Sequence, residues 1–111
     1  MAAIANLKID QGASFSSDVT VTNSDGTVVD LTGYTTVAKM AKSYGASSSV
    51  TITSALASDP TTGVVELTLT DQQTENLDAP ARYVYDVYIT QTSTSTVTRV
   101  IEGVITVNPR V

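Results

Sequence analysis

Hydroxyl groups are the most abundant potential nucleophiles in this chain, because Ser and Thr fill 31 of its 111 positions. A Ser or Thr oxygen attacks only when a neighbouring base takes its proton. The sequence contains no His and no Cys. That removes the usual base, the thiolate alternative and the commonest metal ligand. No lysine stands in a setting that would replace them. Paired carboxylates could support glycosidase chemistry if two were held within about 10 Å. Asp18, Asp25, Asp30, Asp59, Asp71, Asp78 and Asp86 are instead spread over turn-like and outward positions. The stretch Asn23-Ser24-Asp25-Gly26 has oxygen donors, but an EF-hand needs ligands at alternate positions and a terminal Glu. Val21 and Leu31 fail that pattern, and no Gly-rich loop is present to cradle a phosphate. The expectation is a protein that is not an enzyme, with no catalytic residues, no cofactor and no metal.

The charge balance narrows the partners. Eleven acids against six bases give a formal net charge of −5. Nucleic acids and anionic membranes are both held through clustered Lys and Arg, and here the basic residues are scattered from Lys8 to Arg110. Neither is expected as a partner. No apolar run approaches the roughly 20 residues a membrane helix needs. MAAIANLKID has no basic segment followed by an apolar stretch, so it does not read as a secretory signal.

The elements that position these residues follow a period of two. Ile4 to Asp10 reads as a first strand. Phe15, Ser17, Val19 and Val21 line one face of a second, ended by the turn at 23–26, and Thr27 to Leu31 forms a short return arm. Residues 34–44, YTTVAKMAKSY, fit both a helical and a strand spacing. We take the strand because its surroundings alternate. Residues 43–49 read as a loop, followed by a strand face of Val50, Ile52, Ser54 and Leu56. Asp59-Pro60-Thr61-Thr62-Gly63 is a turn. Val65, Leu67 and Leu69 make another strand face, and Thr70-Asp71-Gln72-Gln73 is a capping box that opens a short helix near residues 71–77. After the hairpin loop at 91–95, Val97 to Val107 is the last strand. The result is one all-β domain over residues 1–111. Its expected architecture is an Ig-like Greek-key β-sandwich of about seven or eight strands.

Three of the five tyrosines fall in Tyr83-Val84-Tyr85-Asp86-Val87-Tyr88. Tyr83 and Tyr85 share a face with Val87 and Ile89. A link from Leu77 to Arg82 before Tyr83 suits a tyrosine corner, in which the hydroxyl bonds back to upstream backbone. Tyr88 faces the other way with Asp86, which makes it the better interface candidate. No basic face accompanies the tyrosines, so an RNA-binding aromatic platform does not fit.

Several segments, taken in order, carry a resemblance. They are Leu7-Lys8-Ile9-Asp10-Gln11-Gly12-Ala13-Ser14-Phe15, Asp25-Gly26-Thr27-Val28-Val29-Asp30-Leu31-Thr32-Gly33-Tyr34, and Thr62-Gly63-Val64-Val65-Glu66-Leu67-Thr68-Leu69-Thr70. Tyr83 to Val87 follows, and then Arg99-Val100-Ile101-Glu102-Gly103-Val104-Ile105-Thr106-Val107-Asn108-Pro109. The set resembles small Ig-like β-sandwich virion proteins of tailed bacteriophages, especially marine and cyanobacterial ones. It is also similar to the N-terminal domain of baseplate upper proteins, which attaches receptor-binding fibres. The resemblance implies a structural virion protein, made in the host cytoplasm and assembled in many copies in the tail, baseplate or fibre-attachment region. Its partners would be other virion proteins and further copies of itself, and fibre anchoring would need a partner chain. A head decoration protein on the major capsid protein is the alternative, and a carbohydrate- or receptor-binding module is the next. Candidate interface residues are Tyr44, Tyr88 and Arg99. The bland reading of Arg99 is a solvated ion pair with Glu102. The terminal strands, 4–10 and 97–107, are further candidates for pairing with a neighbour's sheet edge.

Overall fold

The computed structural model describes residues 3–23, 25–45 and 49–110. Residues 46–48 of the expected 43–49 loop and Ser24 of the 23–26 turn lie outside them. The chain is all-β. Its strands are β1 (Ala3–Ile4), β2 (Leu7–Asp10), β3 (Phe15–Thr20), β4 (Tyr34–Ala41), β5 (Val50–Leu56), β6 (Val64–Leu69), β7 (Ala81–Gln91) and β8 (Thr96–Asn108). One short helix, α1 (Asp71–Glu75), and a 3-10 turn, Pro60–Thr62, complete the order. The hydrogen-bonded path is β1-β8-β7-β4-β5-β6-β3, with β2 also beside β8. Strand β5 belongs to two layers. Val50 and Ile52 pair with Met40 and Ala38 of β4, whereas Thr53 to Leu56 pair with β6. The path folds over there, and the inner faces of the two layers form the core.

The alternation predicted for the strands is what fills that core. Phe15 and Val19, Ala38 and Met40, Val65, Leu67 and Leu69, and Tyr83, Tyr85, Val87 and Ile89 are buried, each set on one face of its strand. Ile101, Ile105 and Val107 do the same in β8. Each buried Val, Leu, Ile, Phe or Met among them contributes roughly 1.5–3 kcal/mol by leaving water. The ambiguous stretch is strand β4, paired with β7 from Tyr34↔Gln91 to Ala41↔Val84. Long-range pairing decides a pattern that local spacing leaves open.

The caps also follow the local chemistry. Thr70 accepts from the Gln73 amide at 3.2 Å, and Gln73 Oε1 accepts from the Thr70 amide at 2.8 Å. Helix α1 ends at Glu75, two residues before the expected 77, because the chain turns there to bury Leu77. The acids at the turns satisfy backbone donors. Asp25, Asp30 and Asp59 each accept from the amide and the hydroxyl of the Thr two residues on, with amide distances of 3.0, 3.0 and 3.1 Å. These bonds hold the Asp25 and Asp30 carboxyls below the usual range, the Thr hydroxyl being the larger cause in each.

The first strand departs from the expectation of one continuous element over 4–10. It breaks at Ala5-Asn6 into β1 and β2, both parallel to β8. Three bonds hold the break. Ala5 donates its amide to Glu102, Asn6 Oδ1 accepts from the Val104 amide at 3.1 Å, and the Tyr85 hydroxyl donates to the Ala5 carbonyl at 2.6 Å. Gly103 makes the inward step of Ala5 possible. A Cβ at that position would overlap the Ala5 carbonyl oxygen.

Strand β8 is also less available than expected. Ile101, Glu102 and residues 105–107 are paired on both sides, with β7 and with β1 or β2. Among the described residues, the free edge at that end of the sheet is shared by the 4–10 segment and by residues 96–100 of β8, beside which neither β1 nor β2 runs.

Candidate functional site

The outer face of the β4-β7-β8 layer gathers the residues whose types suit recognition. Outward positions register across the three strands in rows. Thr35, Thr90 and Val97 form one row, Val37, Tyr88 and Arg99 the next, and Lys39, Asp86 and Glu102 a third. Ile4 of β1 extends the third row beside Glu102. Several of the apolar members are open to solvent. Ile4 is 74% exposed, Val97 60% and Val37 47%.

Tyr88 and Arg99 owe their pairing to an irregularity. Val87 pairs with Ile101 and Tyr88 with Arg99, so Val100 is an extra residue in β8. A bulge of this kind re-aims the side chains beyond it. It turns Arg99 outward beside Tyr88 while Ile101 stays in the core. Arg99 also reaches Glu102 at 3.4 Å. Both partners are partly exposed, and such a pair contributes little to stability.

Tyr44 lies just beyond β4 and is 56% exposed. It shares with Tyr88 a groove of about 270 Å³, whose polar lining includes Lys39, Ser43, Ser49 and Asp86. All three candidate residues therefore lie in one region. Tyr44 and Tyr88 line the groove, and Arg99 flanks Tyr88 on the next strand. Partial burial raises the Asp86 carboxyl above its usual range. Arg99 pulls it down, Glu102 pushes it up and Lys39 pulls it down. Directly opposed like charges in a sheet are unfavourable, so the Asp86–Glu102 neighbourhood is a place where a cationic or hydrogen-bonding partner would be welcome. The sequence alone does not single out Val37, Val97, Lys39 or Asp86 for this surface, although outward apolar residues at alternate positions are a usable signal.

The other tyrosines are structural. Tyr83 is buried, and its hydroxyl accepts from the Asp78 amide at 2.9 Å, which is the tyrosine corner. The ammonium of Lys42 stands 5.5 Å from the Tyr83 ring centre and bonds Asp78 at 2.6 Å. The Asp78 carboxylate raises the Lys42 pKa. Tyr85 is 1% exposed, and burial pushes its phenol up to about 12.

Among the described residues, no group of three or more acidic, His or Cys side chains is placed to hold a metal. No helix among them is long and apolar enough to cross a membrane. No protein-family model and no curated protein sequence matches the chain.

Proposed function

We propose that this protein is a non-enzymatic structural component of a tailed-phage virion, assembled in multiple copies in the tail, baseplate or fibre-attachment region. The virion assignment rests on the ordered segments that resemble phage β-sandwich proteins. The Ig-like Greek-key part of that reading is supported by the order β7-β4-β5-β6, in which the fourth strand returns beside the first of a meander. The observation that carries the assembly role is the outer face described above. Val37 and Val97 are exposed, Tyr88 is half-buried at an outward position, and all three are mounted on the most extensively paired strands. Rigid aromatic anchors with an adjacent Arg are the residue types that dominate protein interfaces.

Immunogold electron microscopy of purified particles, with an antibody to this chain, tests the location. Label at the tail tip is expected. Label over the head would instead make it a decoration protein on the major capsid protein, and unlabelled accessible particles would refute the virion reading. Tyr88→Ala tests the surface, with loss of incorporation into particles expected. Unchanged incorporation would remove Tyr88 from the interface.

A carbohydrate- or receptor-binding role is the second reading. It is favoured by the shared groove of Tyr44 and Tyr88, where two aromatic rings stand near Lys39, Asp86 and two serines.

A further inference from the structure

The two ends of the sheet are finished differently. At one end, β2 is only four residues long, is separated from β1 by the Ala5-Asn6 break, and carries the outward Lys8. Short length, a bulge and a lysine are the usual devices that stop a sheet edge from accepting another strand. At the other end lies β3, which carries no lysine of its own; its charge is the outward Asp18, and Lys8 of β2 lines a hollow shared with Ser16 and Ser17. Its six residues pair with β6 without interruption, from Phe15↔Leu69 to Thr20↔Val64. The sequence Phe-Ser-Ser-Asp-Val-Thr contains no Lys, Pro or Gly. Among the described residues no strand pairs with its second edge.

The direction of the free backbone groups follows from one bond. Val21 donates its amide to Gly63 at 2.7 Å, in line with the β3–β6 register. In an antiparallel ladder, hydrogen-bonded pairs alternate with non-bonded ones. Phe15, Ser17 and Val19 therefore spend their backbone groups on β6. Ser16, Asp18 and Thr20 aim theirs away from it. The return arm does not cover them, because Val29 bonds Val21 on the β6 side, at the carbonyl.

We propose that the free edge of β3 is a dimer interface, in which β3 of a second copy pairs antiparallel about a two-fold axis at Ser17. Charge sets the register, and the strand's own sequence meets that condition. Asp18 already lies beside Glu66 on the outer face, so a strand that placed an acid opposite Asp18 would be repelled. An axis at Ser17 sets Asp18 of each copy opposite Ser16 of the other, and Phe15 opposite Val19. The bonded pairs are then those of Ser16 and Asp18, which use the free groups of both copies. Ser17, half-buried at the lip between the layers, meets its own symmetry mate. A two-fold contact of this kind closes on itself and leaves no further free β3 edge.

This dimer does not depend on the virion assignment. Absence of antibody label would leave it standing, and a monomer in solution would leave incorporation through the Tyr88 face standing. The test is sedimentation of the purified chain over a concentration series, for wild type, Asp18→Asn and Asp18→Pro. Proline at residue 18 removes an outward amide and leaves the β6 ladder whole, a position where edge strands tolerate it. Wild type and Asp18→Asn should dimerise. Asp18→Pro should dissociate about 30-fold more readily, from the loss of one hydrogen bond per copy. A wild type that stays monomeric overturns the proposal, as does an Asp18→Pro dimer of unchanged affinity. Ser17→Cys gives an independent reading in a chain without other thiols. Opposed non-bonded residues lie about 4.5 Å apart at Cα, within disulfide reach. Oxidation should cross-link Ser17→Cys quantitatively and leave Val97→Cys monomeric. No cross-link at residue 17 refutes the register.

Discussion

Replacing Tyr85 by Phe removes one oxygen and leaves the core volume nearly unchanged, so its effect isolates the hydroxyl. That hydroxyl donates to the Ala5 carbonyl at 2.6 Å and is the side-chain bond from β7 that holds the Ala5 step in place. Losing a hydrogen bond of this kind costs about 1–2 kcal/mol, or a fall in Tm of ~4–8 °C for a chain of this size. The phenol adds a pH dependence of opposite sign. Burial lifts its pKa from near 10 to about 12. A raised folded-state pKa contributes stability that is complete below the unfolded value and lost as pH rises toward the folded one. Between pH 10 and 12 the unfolded chain deprotonates Tyr85 and the folded chain does not. Wild type should therefore lose about 1.4 kcal/mol per pH unit relative to Tyr85→Phe. It should lead the variant by about 1–2 kcal/mol at pH 7 and trail it by about 1 kcal/mol near pH 12. Urea unfolding followed by far-ultraviolet circular dichroism at pH 7, 9, 11 and 12 measures both. Taking the difference between the two chains cancels the other tyrosines and lysines. Curves that remain parallel across the series would refute the argument that this phenol is buried and bonded.

Gly103→Ala should cost about 1–3 kcal/mol, because the new methyl overlaps the Ala5 carbonyl. Amide exchange of Val104, bonded to Asn6, should accelerate with it. Thr74→Val keeps the shape of the most deeply buried polar side chain but removes its oxygen. That oxygen donates to the Ala13 carbonyl at 2.8 Å and accepts from the Gly12 amide at 3.1 Å. The variant should lose about 2–3 kcal/mol by leaving those groups unpaired, read as a lower urea midpoint with an unchanged slope.

What could be read from the sequence divides by distance along the chain. Inward sets such as Val65, Leu67 and Leu69 repeat every second residue, and that alone fixes which face is buried. The capping box at Thr70 and the turn acids at Asp25, Asp30 and Asp59 are equally local, and each bond spans two or three residues. The break at Ala5-Asn6 was not legible. It depends on Gly103 and Tyr85, residues that only the finished sheet brings near. The candidate site shows the same division. Tyr88 reads as outward from its parity with Asp86. Its nearness to Tyr44 and Arg99 needed the β4–β7 register and the extra residue Val100.

Pairing of β2 with β8 joins residues made far apart in the order of synthesis. Asn6 and the Val104 amide it accepts from are 98 positions apart. At roughly 5–20 residues per second, the ribosome takes about 5–20 seconds to supply the partner strand. Throughout that interval the nascent chain carries Leu7 and Ile9 with no sheet to cover them. Lys8, set between them and exposed in the folded protein, is a charge placed where a waiting apolar segment would otherwise find its neighbours on the same polysome.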